Sequence, residues 1–421
     1  MQPYIALGQG LKRAGHCVTV ATSWRFRDAI EAVGLQYAFM NDGMLALLET
    51  PEGQGMLEDT SNIFQVIRHT LGLIKQIGPI QRALVEESWT AAQQSRPTII
   101  VFHPKAFIAP DIAEKLGIPV VMALVVPGLV PTAEYPNMML PRLKLGGWYN
   151  RFSYSFVNQL IGWSVAKYVR AWRKKNDLPK IKEFNLLCNA DGTPIPVLHG
   201  FSGLVLPRPA DWPSTARICG YWHTDDAHNY IPPPELEAFL AAGPPPVYVG
   251  FGSMKARDPE RLASVIVEAL QKAGLRGILA TGWGGLKAEM LPETILKIDQ
   301  VPHAWLFPCV SAVVHHGGAG TTGAVLRAGK PSVVVPFFGD QPFWGYQVHA
   351  LRAAAVPIPL KKLTVEKLKA AIKEVTTSEV IIGQAERLGA KLREENGVEN
   401  AVAMIESLAA RPNTALQRTS L

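Results

Sequence analysis

The sequence predicts an α/β protein built from two doubly wound domains. Three observations carry this. Both halves alternate short apolar runs with amphipathic stretches, the pattern of parallel strands with covering helices. One run, Val313-Val314-His315-His316-Gly317-Gly318-Ala319-Gly320-Thr321-Thr322-Gly323 followed by Pro336-Phe337-Phe338-Gly339-Asp340-Gln341, reads as strand, glycine loop, helix and strand. The 421 residues, 48% hydrophobic and 18% charged, suffice for two domains with sizeable cores.

The chain opens on a helix. In Gln2–His16, Pro3 fits a first turn, Ile5, Leu7 and Leu11 give an apolar face, and Gly15 fits the stop. A strand, Cys17–Ala21, follows directly. A doubly wound domain starts with a central strand before its first helix, so the first domain is expected to be incomplete at its start. Further strands are predicted at Thr98–Phe102 and Val120–Val126. Between them and the second half, Met138–Trp172 is dense in Met, Trp, Tyr and Phe. Helix-to-sheet packing accounts for most of these side chains, while an adaptable aromatic surface would suit a flat lipid or membrane contact.

Pro-rich stretches, Val205–Asp225 and Ile231–Pro246, mark the linker. The second half offers strands at Val247–Phe251, Gly277–Ala280, Ala312–His315 and Ser332–Phe337. Domain boundaries are thus expected at 1–205, 206–246 for the linker and approach to the second domain, and 247–410. The polar, aperiodic tail 411–421 is expected to be disordered. Gly250-Phe251-Gly252-Ser253 opens the second domain but lacks the third glycine of a dinucleotide fingerprint, Lys255 standing in its place. This disfavours a nicotinamide or flavin enzyme.

The chemistry concentrates in the glycine run. A helix beginning at Thr321 or Thr322, capped by a threonine hydroxyl, would end near Gly329 ahead of Pro331. So short a strand–helix–strand unit makes its strands parallel neighbours, and the loops after them open on one edge. The glycine loop and Asp340–Gln341 would then line one crevice. Backbone N–H groups and the helix N-terminus favour an anion there, and His316 adds a donor. A carboxylate and an amide suit sugar hydroxyls, so the pattern is the footprint of a nucleotide sugar.

Composition narrows the rest. The formal charge of +7 includes no dense basic block, so no nucleic-acid partner is expected. The four cysteines lack the spacing of a zinc site or a disulfide framework, which points to a reducing compartment. The N-terminus carries no apolar leader and no run approaches a membrane span, so a cytoplasmic location is expected, with peripheral membrane contact as its one extension. No Asp-x-Asp pair or ligand-spaced His/Cys cluster suggests a metal, and no cofactor is expected.

Val301 to Gln347, with Pro302-His303, Trp305-Leu306-Phe307-Pro308, His315-His316-Gly317-Gly318-Ala319-Gly320-Thr321 and Asp340-Gln341, resembles the donor-binding signature of the UDP-glycosyltransferase superfamily. The likeness is greatest to sterol glucosyltransferases and to bacterial glycosyltransferases that decorate antibiotics. His103-Pro104-Lys105-Ala106, Pro131–Asn137, Pro207–Trp212 and Gly250–Met254 look like sterol-type members too, so the resemblance runs from about residue 1 to 405. It implies the GT-B fold, two Rossmann-like domains facing a cleft. It also implies an inverting transfer of a hexose, glucose above all, from UDP-glucose or a related UDP-sugar. The acceptor would be hydrophobic: a sterol, hopanoid or polyketide-like molecule. Ser253, His316, Gly318, Gly320, Thr321 and Thr322 would hold the diphosphate, Val301 and His303 the nucleoside, and Asp340 and Gln341 the sugar.

His103, at the carboxyl end of a predicted strand, sits where related enzymes place a partner to the catalytic base; a capped structural histidine fits equally. The aspartate that resembles that base in sterol-type members would fall just before Met1. The chain as written is therefore expected to bind UDP and transfer sugar poorly. Two alternatives stay open: a catalytically weak UDP-sugar-binding protein, and a nucleotide-sugar epimerase of the same architecture.

Overall fold

The computed structural model describes residues 1–43, 46–47, 50, 63–181, 183–224, 230–252, 254, 258–280 and 291–410, with backbone alone over 63–75. Ser253 and the tail 411–421 lie outside the described residues.

The chain divides into two units, one made of 1–203, 208–222 and 396–421, the other of 204–207 and 223–395. In the first unit the elements run α1 (Gln2–Arg13), β1 (Thr19–Thr22), α2 (Arg27–Ala32), β2 (Gln36–Phe39), α3 (Ile63–Ser95), β3 (Ile100–Phe102) and α4 (Ala109–Leu116). They continue through β4 (Val120–Leu124), α5 (Gly147–Lys175), β5 (Val197–His199) and β6 (Ala216–Ile218). The strands form two parallel sheets, β1–β2 and β3–β4–β5–β6. β4 (Val-Val-Met-Ala-Leu) is buried along its whole length, as a strand covered on both faces must be. Its period of two sends Val121 and Ala123 toward α1, while Ile100 of β3 faces Ile112 of α4 and Val165, Val169 and Trp172 of α5.

The second unit contributes α6 (Pro234–Ala241), β7 (Val247–Gly250), α7 (Pro259–Ala273), β8 (Gly277–Ala280), β9 (Ile295–Ile298), α8 (His303–Leu306) and β10 (Ala312–His315). Beyond it lie α9 (Ala319–Arg327), β11 (Ser332–Val334), α10 (Gln341–Ala350), α11 (Val365–Thr377) and α12 (Glu379–Arg393). Its five parallel strands are ordered β11–β10–β7–β8–β9. Val247, Val249, Val314 and Val333 bury against α7 and α11. Tyr248, Ile278 and Val313 bury against Leu236, Phe307 and Val325 on the opposite face. The order reverses between β7 and β10, and ligands of such sheets bind beyond the carboxyl ends at that point.

The last helix, α13 (Gly397–Ala409), corrects the expected boundary at 410: it belongs to the first unit. Val398, Ala401, Val402 and Ile405 bury against Ala6 and Leu7 of α1, and Gly10 lets Val398 approach the α1 backbone. His16, at the end of α1, hydrogen-bonds Glu406 at 2.9 Å. The expected linker is likewise split, Arg208–Trp222 packing in the first unit.

Candidate functional site

The site is built at the carboxyl ends of β7, β10 and β11, three neighbouring strands of the second unit. β10 and β7 are paired so that His315 stands opposite Gly250, which places the loops after them side by side. From His315 the chain passes through His316, Gly317 and Gly318 into α9. Gly317 takes a left-handed φ of +89°, and a methyl group there would stand 2.6 Å from Val334 Cγ1 and 2.9 Å from the Gln341 carbonyl. Only glycine lets the β10 loop lie this close to the start of α10.

α9 begins two to three residues earlier than predicted. Its N-cap is Gly318, with no side-chain cap, so Thr321 and Thr322 fall inside the first turn and do not cap it. The physical reason is that Gly318 already has extended backbone (φ −62°, ψ 144°), and its carbonyl accepts the Thr322 N–H at 2.9 Å. The first-turn N–H groups of Gly320 and Thr321 have no intrahelical acceptor. Thr322 Oγ1 is buried with no hydrogen-bond partner in the protein.

The two adjacent histidines part company. His315 is fully buried, and its Nδ1 accepts the Gly317 N–H at 3.1 Å. His316 turns nearly perpendicular to it, the rings 6.5 Å apart at 84°. The His316 ring lies over Gly318, where a methyl group would meet Nε2 at 2.5 Å, and beside Gly252, where one would meet Cε1 at 3.5 Å. The imidazole is thus held between the glycine loops of β7 and β10, and its Nδ1 is buried without a partner.

The loop after β11 closes the site. Asp340 starts α10; its carboxylate accepts Trp344 Nε1 at 3.0 Å and the backbone N–H of Ala319, and burial raises its pKa. Gln341 spends its carbonyl oxygen on the Phe337 and Phe338 N–H groups at 2.7 and 3.2 Å, and its Nε2 reaches Met254 Sδ at 3.4 Å. These two residues tie three loops together, a structural duty the sequence did not disclose. His303 opens α8 and stacks on Phe307 at 4.3 Å and 14°, so one face of its ring is already covered. Val301 is half-buried against the same cluster.

Burial pushes His303 and His316 down to about 4 and His315 to about 3; His316 and His303 further disfavour charge on His315, and His303 does so on His316. At neutral pH the site therefore offers N–H donors and a helix terminus instead of imidazolium charge. Among the described residues, no three His, Cys, Asp or Glu side chains stand together as metal ligands.

The structure thus gathers His316, Gly318, Gly320, Thr321, Thr322, Asp340 and Gln341 around one sheet edge, with Val301 and His303 in the adjoining cluster of the same unit. Gly252, Gly317 and Met254 join them; positive φ at the two glycines, +59° and +89°, is the signal behind their identity. His103 lies in the first unit. Its Nδ1 accepts the Lys105 N–H at 3.1 Å, and burial, then Lys105, pushes its pKa down to about 4. The neutral ring accordingly presents Nε2–H, a donor.

Residues 1–133 match the glycosyltransferase family 28 N-terminal domain, and 284–407 match the erythromycin biosynthesis protein CIII-like C-terminal domain. The chain is thus similar to glycosyltransferases in both of its halves. It is 36% identical over 406 residues to a sterol 3-beta-glucosyltransferase of Arabidopsis thaliana, an alignment covering 96% of the chain and 62% of the relative. A sterol 3-beta-glucosyltransferase of Yarrowia lipolytica is also 36% identical, over 96% of the chain and 28% of its own length. The chain therefore spans less than two thirds of these relatives. Among solved structures, the glycosyltransferase of kitacinnamycin has a TM-score of 0.72 at 19% identity, over 97% of this chain and 95% of that one. The glycosyltransferase VinC in complex with dTDP has a TM-score of 0.66 at 19% identity, over 97% and 96%. The fold is GT-B.

Proposed function

We propose that the chain moves a hexose, glucose in first place, from a UDP-sugar to a hydroxyl of a hydrophobic, sterol-like acceptor with inversion at the sugar carbon. The diphosphate would lie against the loop from His316 to Thr322, with Ser253 from the neighbouring loop. Val301 and His303 would flank the nucleoside, and Asp340, with the amide of Gln341, the sugar. The bond between the sugar carbon and the diphosphate oxygen breaks as the acceptor oxygen bonds to that carbon. The negative charge left on the diphosphate is met by the N–H groups of Gly320 and Thr321 in the first turn of α9 and by His316, so the reaction as proposed calls on no metal. His103 would serve as a hydrogen-bond donor that orients the group receiving the acceptor's proton.

One observation carries this reading: an imidazole clamped between two glycine loops at a helix N-terminus whose N-cap residue, Gly318, offers no side chain, its buried Nδ1 unpartnered in the protein. The sterol 3-beta-glucosyltransferase relatives support the choice of acceptor class.

Calorimetry with UDP tests the donor half. His316→Ala should weaken binding by about 1.5–3 kcal/mol, the scale of a hydrogen bond to a charged group. Unchanged affinity in a folded variant would sink the assignment. Product analysis with UDP-glucose and a sterol tests the transfer half: a glucosylated sterol supports it, whereas an epimerised UDP-sugar with untouched sterol replaces it with the epimerase.

A further inference from the structure

The aromatic segment after β4 splits into two populations. Tyr149, Tyr154 and Tyr168 are buried, as helix packing requires, but Met139, Trp148, Phe152, Phe156, Leu160 and Trp163 are exposed, more than packing alone predicts. Five of them lie on α5. Trp148, Phe152, Phe156, Leu160 and Trp163 follow one another at steps of four and three, so they form a single ridge along the outer face, opposite the buried Val157, Val165 and Trp172. The ridge runs about 22 Å along the helix. Its members are between 47% and 74% exposed, and Phe152 stacks on Phe156 at 6.1 Å. A soluble surface rarely keeps so many contiguous aromatics in water.

Charge decides what covers it. From Tyr135 to Asn176 there are eight Lys and Arg residues and no Asp or Glu. Arg151, Arg173 and Lys175 are engaged with Asp211, Asp111 and Glu86. Lys167, Arg170 and Lys174 are exposed and continue the same outer face beyond Trp163. In the loop ahead of the helix, exposed Leu143 and Leu145 flank exposed Lys144. The face is therefore apolar in its first turns and cationic in its last. A second copy of this chain would bring like charge against like on that face. A bilayer with anionic headgroups offers both hydrocarbon for the ridge and negative charge for the lysines and arginine. No described helix is long and apolar enough to cross a membrane, so contact of this kind lies along the surface.

We propose that the outer face of α5 docks the protein on an anionic bilayer surface, the Trp148–Trp163 ridge entering the headgroup boundary and Lys167, Arg170 and Lys174 meeting the headgroups.

Vesicle sedimentation tests this with the full chain, using phosphatidylcholine alone and an equal mixture of phosphatidylcholine and phosphatidylglycerol. The chain should pellet preferentially with the mixture. Trp148→Ser combined with Trp163→Ser should weaken binding about tenfold or more on the mixture, because two buried anchors are lost. Lys167→Gln, Arg170→Gln and Lys174→Gln together should remove the preference for the anionic vesicles, at about fivefold per charge. All substituted positions are exposed, so UDP affinity and far-ultraviolet circular dichroism should not change, which separates this inference from the proposed function. Three results would overturn it: no vesicle binding by the wild-type chain, equal binding by the tryptophan variant, or a dimer in light scattering that the tryptophan variant dissolves while vesicles are ignored.

Discussion

Gly318→Ala separates the site from the fold. Gly318 has ordinary extended backbone, so an alanine there is conformationally allowed; what it lacks is room. Its methyl group would stand 2.5 Å from His316 Nε2 and 3.2 Å from Cδ2, short of ordinary contact by roughly 1 Å. The ring has little space to slide, because Gly252 bounds it on the other side. It must rotate out of the clamp. The hydrogen bond to a bound diphosphate would go with it, at about 1.5–3 kcal/mol, or ten- to a hundredfold in Kd. Stability should hold to within ~1 kcal/mol, since a poorer N-cap is offset by a stiffer unfolded chain. Calorimetry with UDP and urea unfolding read the two quantities. Gly317→Ala is the contrast: its left-handed φ and the backbone carbonyl 2.9 Å away make it destabilising by about 2 kcal/mol. A folded Gly318→Ala protein with wild-type UDP affinity would refute the placement of His316.

Asp340→Asn keeps an acceptor for Trp344 and Ala319 but loses charge; turnover of UDP-glucose should fall about tenfold while UDP affinity stays within about twofold. Equal losses in both would show that Asp340 serves the loops alone. Gln341→Ala strands the N–H groups of Phe337 and Phe338 and should cost about 2 kcal/mol in urea unfolding, with Gln341→Glu restoring most of it. An alanine variant as stable as wild type contradicts the role in loop closure. His199 and His303 are held near 4, and His315 near 3, by burial. The unfolded chain takes up their protons first, so the stability they confer is present above about pH 6.5 and is lost as pH falls toward 4, at up to about 1.4 kcal/mol per unit for each. A urea midpoint that stays level over that interval would disprove it.

The second sheet was the legible part. Val247–Gly250 and Ala312–His315 are apolar runs closed by a glycine and a histidine, and Gly277–Ala280 and Ala312–His315 fall where the pattern puts them. Four strands were not. Gln36–Phe39 begins polar and half-exposed, Val197–His199 and Ala216–Ile218 hold three residues each, and Ile295–Ile298 carries a lysine. Each is fixed by its parallel neighbours, which a local window does not contain. In the site, the glycine spacing announced the loop, but the helix start did not follow from threonine propensity, because Gly318 supplied the capping geometry first. Nor did sequence reveal that Gln341 spends its carbonyl on its own loop; an isolated amide looks the same whether it faces a ligand or a backbone. The aromatic run before Trp172 was visible as composition, yet only its register on α5 divides packed tyrosines from the exposed ridge.

The return of α13 to the first unit sets an order of assembly. A ribosome releases the whole of the second unit before it makes Val398, Ala401 and Val402, the residues that cover Ala6 and Leu7. The first unit is thus completed after the second, and α1 waits through the making of the second unit with only part of its apolar face covered, by Val121 and Ala123 of β4. Removing α13 would consequently injure the sheet that α1 covers and spare the glycine loops of the second unit, the reverse of what position along the sequence suggests.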